Sequence, residues 1–463
     1  MTKSLFDEFH SISAKQWKQK IQFDLKGADY NETLISETPE KIAVKPFYHA
    51  DEDTFRATCT TGKAWSTSQR IYVKNAEAAN EKGVEALTKG VDSLWFVIPD
   101  EKIDLSKLLK GIVTRPVNIF ISPQFLSLSF VKTLNEFVSG APVNIFLEND
   151  IIGNLAASGN WFANLQKDQE VWRDIVKIPG INTVFSVDNS LYQNAGAHSI
   201  QQLAYTLALT NEYFNILENH SLLPLLTSER SILFQVAIGS DYFMEIAKIR
   251  AMKELYAVLT AEYNIKSPCH IIAMPSYRNK TIYDYNVNML RTTTEMMSGI
   301  LGGADTLCNL PYDAIYHKDN NFGERISRNQ LLILKHESYF DKVRNPADGA
   351  YYIETLTKQL AEGALELFLQ IEKVGGFLKQ LKEHTIQKKI RESAQKEQEA
   401  FNRGERVLVG TNKYPNPDDR MKDDIEIYPF VKKEVRKTLI EPVVRRRLSE
   451  EYEQERLEKE NKK

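Results

Sequence analysis

The chain has 463 residues, and 59 Lys and Arg nearly balance 62 Asp and Glu for a net charge of −3, so no long-range field draws it to nucleic acid or to an anionic membrane. Its three cysteines, Cys59, Cys269 and Cys308, are too few and too scattered for a disulfide framework or a zinc site, which points to a reducing, cytoplasmic compartment. The length exceeds one compact core of ordinary size but suits a large α/β barrel with extensions, and neither a signal-peptide core nor an apolar run of membrane-spanning length is present.

In chain order, residues 1–55 read as an N-terminal arm: one amphipathic helix around Trp17, Ile21 and Leu25, then a polar, proline-punctuated segment ending at VKPFY. Such a helix has too little apolar surface to form a domain, yet Trp17, Ile21, Phe23 and Leu25 need burial, so the arm is expected to contact a partner subunit. Residues 56–393 carry short β-branched and aromatic runs between helical stretches: LWFVIP from Leu94, VNIFISP from Val117, VNIFLEND from Val143, TVFSVD from Thr183, ILFQVAIG from Ile232, CHIIAMPS from Cys269 and DTLCNLP from Asp305. These read as seven buried parallel strands, with an eighth placed near Asp341 to Arg344. The alternation predicts an α/β fold of the (β/α)8 TIM-barrel type. An open doubly wound sheet would carry a Gly-rich phosphate turn after its first strand, and none is found.

Between the strands, the helix from Asp241 to Tyr263 is expected to start at an Asp241 cap and to pack Phe243, Ala247, Ala251, Leu255 and Val258 on the barrel. Residues 394–463 form a charged, helical C-terminal extension. Its Ile425 to Val444 segment keeps Ile427, Phe430, Val431 and Leu439 and is expected to lie across a neighbouring surface. The closing RRRLSEEYEQERLEKENKK is expected to be solvated or disordered over its last fifteen or so residues.

Several blocks carry a resemblance. FQVAIGSDYFMEIAKIRAMKELY (Phe234 to Tyr256), NAGA (Asn194 to Ala197), NVNMLR ending at Arg291, ERISRNQ (Glu324 to Gln330), NPADGAYYIE (Asn345 to Glu354), IEKVGGF (Ile371 to Phe377) and GTNKY (Gly410 to Tyr414) follow one another as in the coenzyme B12-dependent methylmalonyl-CoA mutase family, which the chain resembles over almost its whole length. The W-x3-I-x2-DLKG stretch (Trp17 to Gly27), VKPFY (Val44 to Tyr48) and RNKTIYD from Arg278 resemble the family's small (beta) subunit branch. The resemblance implies a radical isomerisation of methylmalonyl-CoA to succinyl-CoA in which adenosylcobalamin carries the hard chemistry. Catalytic members supply a cobalamin domain with a D-x-H-x-x-G motif, a Tyr-His pair, an arginine on the substrate carboxylate, and a bore admitting CoA.

Each implied feature can be sought in the sequence. None of His10, His49, His198, His220, His270, His317, His336 and His384 sits in a D-x-H-x-x-G motif, so no cobalamin-binding domain is expected; His317 reads as a surface residue and not a metal ligand. Counting back from Asn194, the Tyr-His pair is replaced by Ser190 and Leu191: Leu191 removes the family's general acid and Ser190 the aromatic wedge that would shield the radical, and His198 reads as a surface or capping histidine at the start of the next helix. No arginine lies between Arg115 and Arg173 to grip the carboxylate, and Arg173 reads as solvated; the substrate tyrosine would fall near Thr60, upstream of Trp65. Phe96, Phe120, Phe146, Phe185 and Phe234 are bulky strand residues of the kind that fill a barrel.

The expectation is therefore a non-catalytic small subunit with no catalytic, cofactor-binding or metal residues of its own. It would pair as a heterodimer with a methylmalonyl-CoA mutase large subunit that holds the adenosylcobalamin. Two alternatives stand beside it: an active acyl-CoA mutase barrel served by a separately encoded B12-binding subunit, and a barrel lyase using Glu148, Asp150 and Asp188 at the strand ends. Those three acids could equally be helix caps.

Overall fold

The computed structural model describes residues 8–51, 65–343, 345–432 and 436–462. Two short strands of the arm, β1 (Ser36–Glu37) and β2 (Ala43–Val44), form an antiparallel pair. Eight parallel strands follow: β3 (Ser66–Tyr72), β4 (Ser93–Ile98), β5 (Asn118–Pro123), β6 (Asn144–Leu147), β7 (Thr183–Asp188), β8 (Ser231–Ile238), β9 (Cys269–Pro275) and β10 (Thr306–Cys308). They pair in the order β6-β5-β4-β3-β10-β9-β8-β7. The ends β6 and β7 meet through Asn182 N–H donating to Ile145 O at 2.8 Å and Asn149 N–H donating to Ser186 Oγ at 2.8 Å, so the sheet comes round as a (β/α)8 barrel.

The seven strands read from the sequence are all present, but the eighth is not where it was expected. Residues 341–343 form a turn, Arg344 lies outside the described residues, and the missing strand is β3. Its sequence, STSQRIY, does not read as a buried strand because its inward side is polar. Gln69 and Ile71 point to the helices, Gln69 bonding with Glu324 and Arg328 of helix Asn321–His336, while Ser66 and Arg70 face inward, Ser66 Oγ lying 2.9 Å from Thr306 Oγ1.

Side chains alternate across each strand. Leu94, Phe96 and Ile98 of β4 join Ile119 and Ile121 of β5 and Ile145 of β6 in a cluster beneath the surrounding helices. Phe185 and Phe234 likewise face outward. Of the five phenylalanines expected to fill the barrel, only Phe120 and Phe146 do so, stacked with ring centroids 4.9 Å apart. They are joined there by Trp95, Leu233, Ile272, Met274 and Cys308, and the His270 ring lies 4.5 Å from that of Phe146. The lower bore is a packed core.

The helix after β8 spans Tyr242–Glu262, and Asp241 caps it by accepting from Met244 N–H. Ala247, Ala251 and Leu255 are buried as expected, but Phe243 is 46% and Val258 51% exposed. Helices Ser199–Asn219, Val287–Gly302 and Tyr351–Lys373 pack around it. The buried side is therefore broad, taking in Met244, Ile249, Met252 and Leu259, with Lys248 and Arg250 held by Glu245, Asp348 and Glu354.

In the arm, helix Ala14–Asp24 starts in a Ser13/Gln16 capping box. Its Trp17 is 47% and Phe23 78% exposed, whereas Tyr30 and Ile42 further along are buried and Glu40 accepts from Ser199 N–H at 3.0 Å. At the other end, the closing residues are not a solvated tail. They form helix Glu450–Asn461, in which Glu453 is fully buried against Arg447 at 2.6 Å and Glu460 accepts from Tyr283 Oη at 2.6 Å. The acidic run reads as solvated because some of its partners lie far away in sequence: Glu453 also accepts from Ile282 N–H, and Tyr283 is 177 residues from Glu460.

Candidate functional site

In a barrel of this kind the loops at the C-terminal ends of the strands build the site, and here they enclose a cavity of about 440 Å³. The first arginine on its wall is Arg70 of β3, exposed to the cavity with its guanidinium 5.4 Å from the Trp95 ring. Across the mouth stand Glu148, Asp150 and Asp188, following β6 and ending β7. The structure does bring these three acids together, but it gives them different roles.

Asp150 is the cap of helix Ile151–Ser158: Oδ1 accepts from Gly153 N–H and from Tyr213 Oη, each at 2.6 Å, and Oδ2 accepts from Asp188 N–H at 3.1 Å. Burial nevertheless pushes its carboxyl up to about 6 against those hydrogen bonds. Asp188 is satisfied on both oxygens, by Ser190 Oγ at 2.5 Å and by Arg445 at 2.9 Å. Glu148 differs. Burial, opposed in part by hydrogen bonding from Ser122, reinforced by the Asp188 charge and relieved in part by Arg70, lifts its carboxyl to about 7, and its Oε1 has no hydrogen-bond partner among the described residues. No group of three or more His, Cys, Asp or Glu among the described residues could hold a metal ion.

The chain returns over this mouth near its end. Leu439 and Ile440 donate to Gly159 O, Val443 to Ala156 O at 2.7 Å, Arg446 to Asn194 O at 2.9 Å and Leu448 to Arg278 O at 2.7 Å. The segment expected to cross a neighbouring surface thus leads into a strap across the chain's own barrel, and it delivers Arg445. Asn194 of the NAGA block anchors the strap and also accepts from Ser276 Oγ and Tyr277 N–H. Two residues on, Gly196 has φ +97°, and a Cβ there would meet Ala394 at 2.5 Å, so both conformation and close approach demand glycine.

Of the residues singled out in the sequence, Ser190 lines the cavity. Leu191 does not: it is buried between β7 and the outer helices in the main hydrophobic cluster. His198 stands at the N-cap of helix Ser199–Asn219, with burial lowering its pKa. His317 is half-buried, its Nδ1 3.2 Å from Asp313. Arg173 sits half-buried on helix Leu165–Val176 and donates to Gln169 O, away from the cavity. Thr60 lies outside the described residues. Sequence reasoning missed Arg70, Trp95, Gln235, Tyr277 and Arg445, which all line the mouth. Only the alternation of β3 and β4 could have signalled the first two.

A barrel carrying charged side chains at its strand ends belongs, by architecture, with the TIM-barrel enzymes and their relatives. Comparison with known proteins narrows this. The family model for methylmalonyl-CoA mutase matches residues 97–462. The methylmalonyl-CoA mutase small subunit of Porphyromonas gingivalis is 34% identical over 446 residues, covering 89% of this chain and 71% of the relative. The methylmalonyl-CoA mutase of Rhizobium meliloti is 28% identical, with 95% and 69% covered, and the small subunit of Propionibacterium freudenreichii subsp. shermanii is 27% identical, with 82% and 65% covered. The chain belongs to the methylmalonyl-CoA mutase family. No described helix is long and apolar enough to cross a membrane.

Proposed function

We propose that this chain is a non-catalytic partner barrel: it pairs with, and stabilises, a large subunit that isomerises methylmalonyl-CoA to succinyl-CoA and holds the adenosylcobalamin. The observation that carries the reading is the filled bore. Trp95, Phe120, Phe146 and His270 occupy the path that a CoA tail would need, and aromatic packing of this kind opens only at the cost of a large cavity. The lost Tyr-His pair agrees with it. Ser190 is held by Asp188, and Leu191 is turned into the core, where it offers neither a proton nor a hydrogen bond.

Bound adenosylcobalamin supplies radical chemistry. The described residues that line this mouth include no Tyr-His pair, and the family's D-x-H-x-x-G motif does not occur among the eight histidines. Small-subunit relatives favour the partner role over the lyase alternative, for which Asp150 is already committed as a cap. Co-purification tests the reading. An affinity-tagged chain should retain a longer mutase chain carrying D-x-H-x-x-G, and turnover should require both. Turnover of methylmalonyl-CoA by this chain alone would overturn it.

A further inference from the structure

A second cavity, of about 340 Å³, opens on the outer wall of the barrel, where helix Ala76–Thr88 and helix Asn321–His336 flank β3. It shares no lining residue with the mouth. Its walls are strongly charged, with Lys82, Lys89, Arg325 and Arg328 set against Glu85 and Glu324. Both carboxylates are already taken, Glu324 by Lys82 at 2.7 Å and Glu85 by Lys89. The arginines are not. They stand one turn apart on the same helix, and neither forms an ion pair with any described residue. Burial lowers the Arg328 pKa; Glu85 and Glu324 oppose that fall, and the Arg325 charge adds to it.

Arg328 is the buried wall of this cavity, only 9% exposed. Its Nη1 donates to Gln69 Oε1 at 2.9 Å and its Nε is enclosed, whereas its Nη2 keeps accessible surface and has no partner among the described residues. Gln69 is fixed in turn by donating to Glu324 at 3.3 Å. A guanidinium held this deep by a neutral amide is costly unless an anion answers it. Exposed Arg325 and Lys89 stand at the rim. We propose that this cavity binds a phosphoryl dianion, free or as a small phosphomonoester, with Arg328 and Arg325 donating to its oxygens. The lining carries four positive and two negative side chains, and the excess matches a phosphoryl group of charge about −2. A carboxylate, with a single charge and two oxygens, occupies one arginine fork and leaves the other unanswered. The volume of about 340 Å³ suits a small ligand. The inference concerns binding on the outer wall, so it stands or falls separately from the non-catalytic reading of the barrel.

The experiment is calorimetric titration of the full chain with inorganic phosphate and with glycerol 3-phosphate, against acetate at matched ionic strength, at about pH 8, where the phosphoryl group is dianionic. At least one phosphoryl ligand should bind with Kd of about 1 mM or tighter, and acetate at least about tenfold more weakly. Tighter binding of the ester assigns the site to phosphomonoesters, and tighter binding of inorganic phosphate to the free ion. Arg328→Gln should abolish binding. Arg325→Gln, at an exposed position on which the fold does not depend, should weaken it at least about tenfold, while Arg403→Gln, at an exposed ion pair outside the cavity, should leave it unchanged. Each variant should keep the wild-type circular dichroism. Failure of both phosphoryl ligands to bind at that level, acetate binding as tightly as they do, or binding indifferent to Arg325→Gln would overturn the proposal.

Discussion

Glu148→Gln offers a direct check on the electrostatics of the mouth. Burial lifts the Glu148 carboxyl from 4.5 to about 7. Between those pH values the folded chain holds a proton that the unfolded chain has released, so stability falls as pH rises. The favourable contribution is complete below the unfolded value and is lost as pH climbs through about 7. At about 1.4 kcal/mol per pH unit the full effect is about 3 kcal/mol, and water in the cavity reduces it to roughly 1–3 kcal/mol. Glutamine keeps the shape and does not titrate. The variant should therefore gain on wild type by that amount between about pH 5 and pH 8, as measured by urea midpoints at four pH values. Asp150, raised by the same cause, is common to both proteins and cancels. Parallel stability curves for the two proteins would refute the argument.

Three further outcomes follow from the packing. Leu191→Ala should cost about 2–5 kcal/mol, seen as a lower melting temperature, while leaving turnover per assembled complex unchanged. Arg447→Met strands the fully buried Glu453 carboxylate and should cost about 3–5 kcal/mol in denaturant titration, more than an exposed pair such as Arg403 with Glu405. Deleting residues 1–48, which removes the exposed Trp17 and Phe23, should weaken association with the large subunit in analytical ultracentrifugation and leave the far-ultraviolet circular dichroism of the barrel largely intact.

The fold was legible because the seven barrel strands other than β3 carry apolar runs whose outward side chains pack beneath the helices, and such runs stand out in any sequence. β3 escaped because Ser66, Ser68 and Arg70 line a polar arc of the interior, leaving an alternation that resembles a surface segment. The site was harder to read. Ser190, Glu148, Asp150 and Asp188 could be named from their places after strands, but which acid was free depended on Arg445, which lies 257 residues from Asp188. The same distance effect hid the closing helix. Glu453 and Glu460 read as solvent-facing charges until Ile282 and Tyr283, 171 and 177 residues away, meet them, with Arg447 and Ser449 reaching Glu453 from just upstream. Side-chain direction decided the remainder: Phe96, Phe185 and Phe234 could not be told from Phe120 and Phe146 until the register of each strand was known.

The most direct test of the partner-barrel account is the number of cobalamins bound per assembled pair of subunits, measured by absorbance after reconstitution with excess adenosylcobalamin and removal of the free cofactor. The account predicts one cobalamin per pair and none on this chain alone. Two per pair, or stoichiometric binding by the isolated chain, would contradict it.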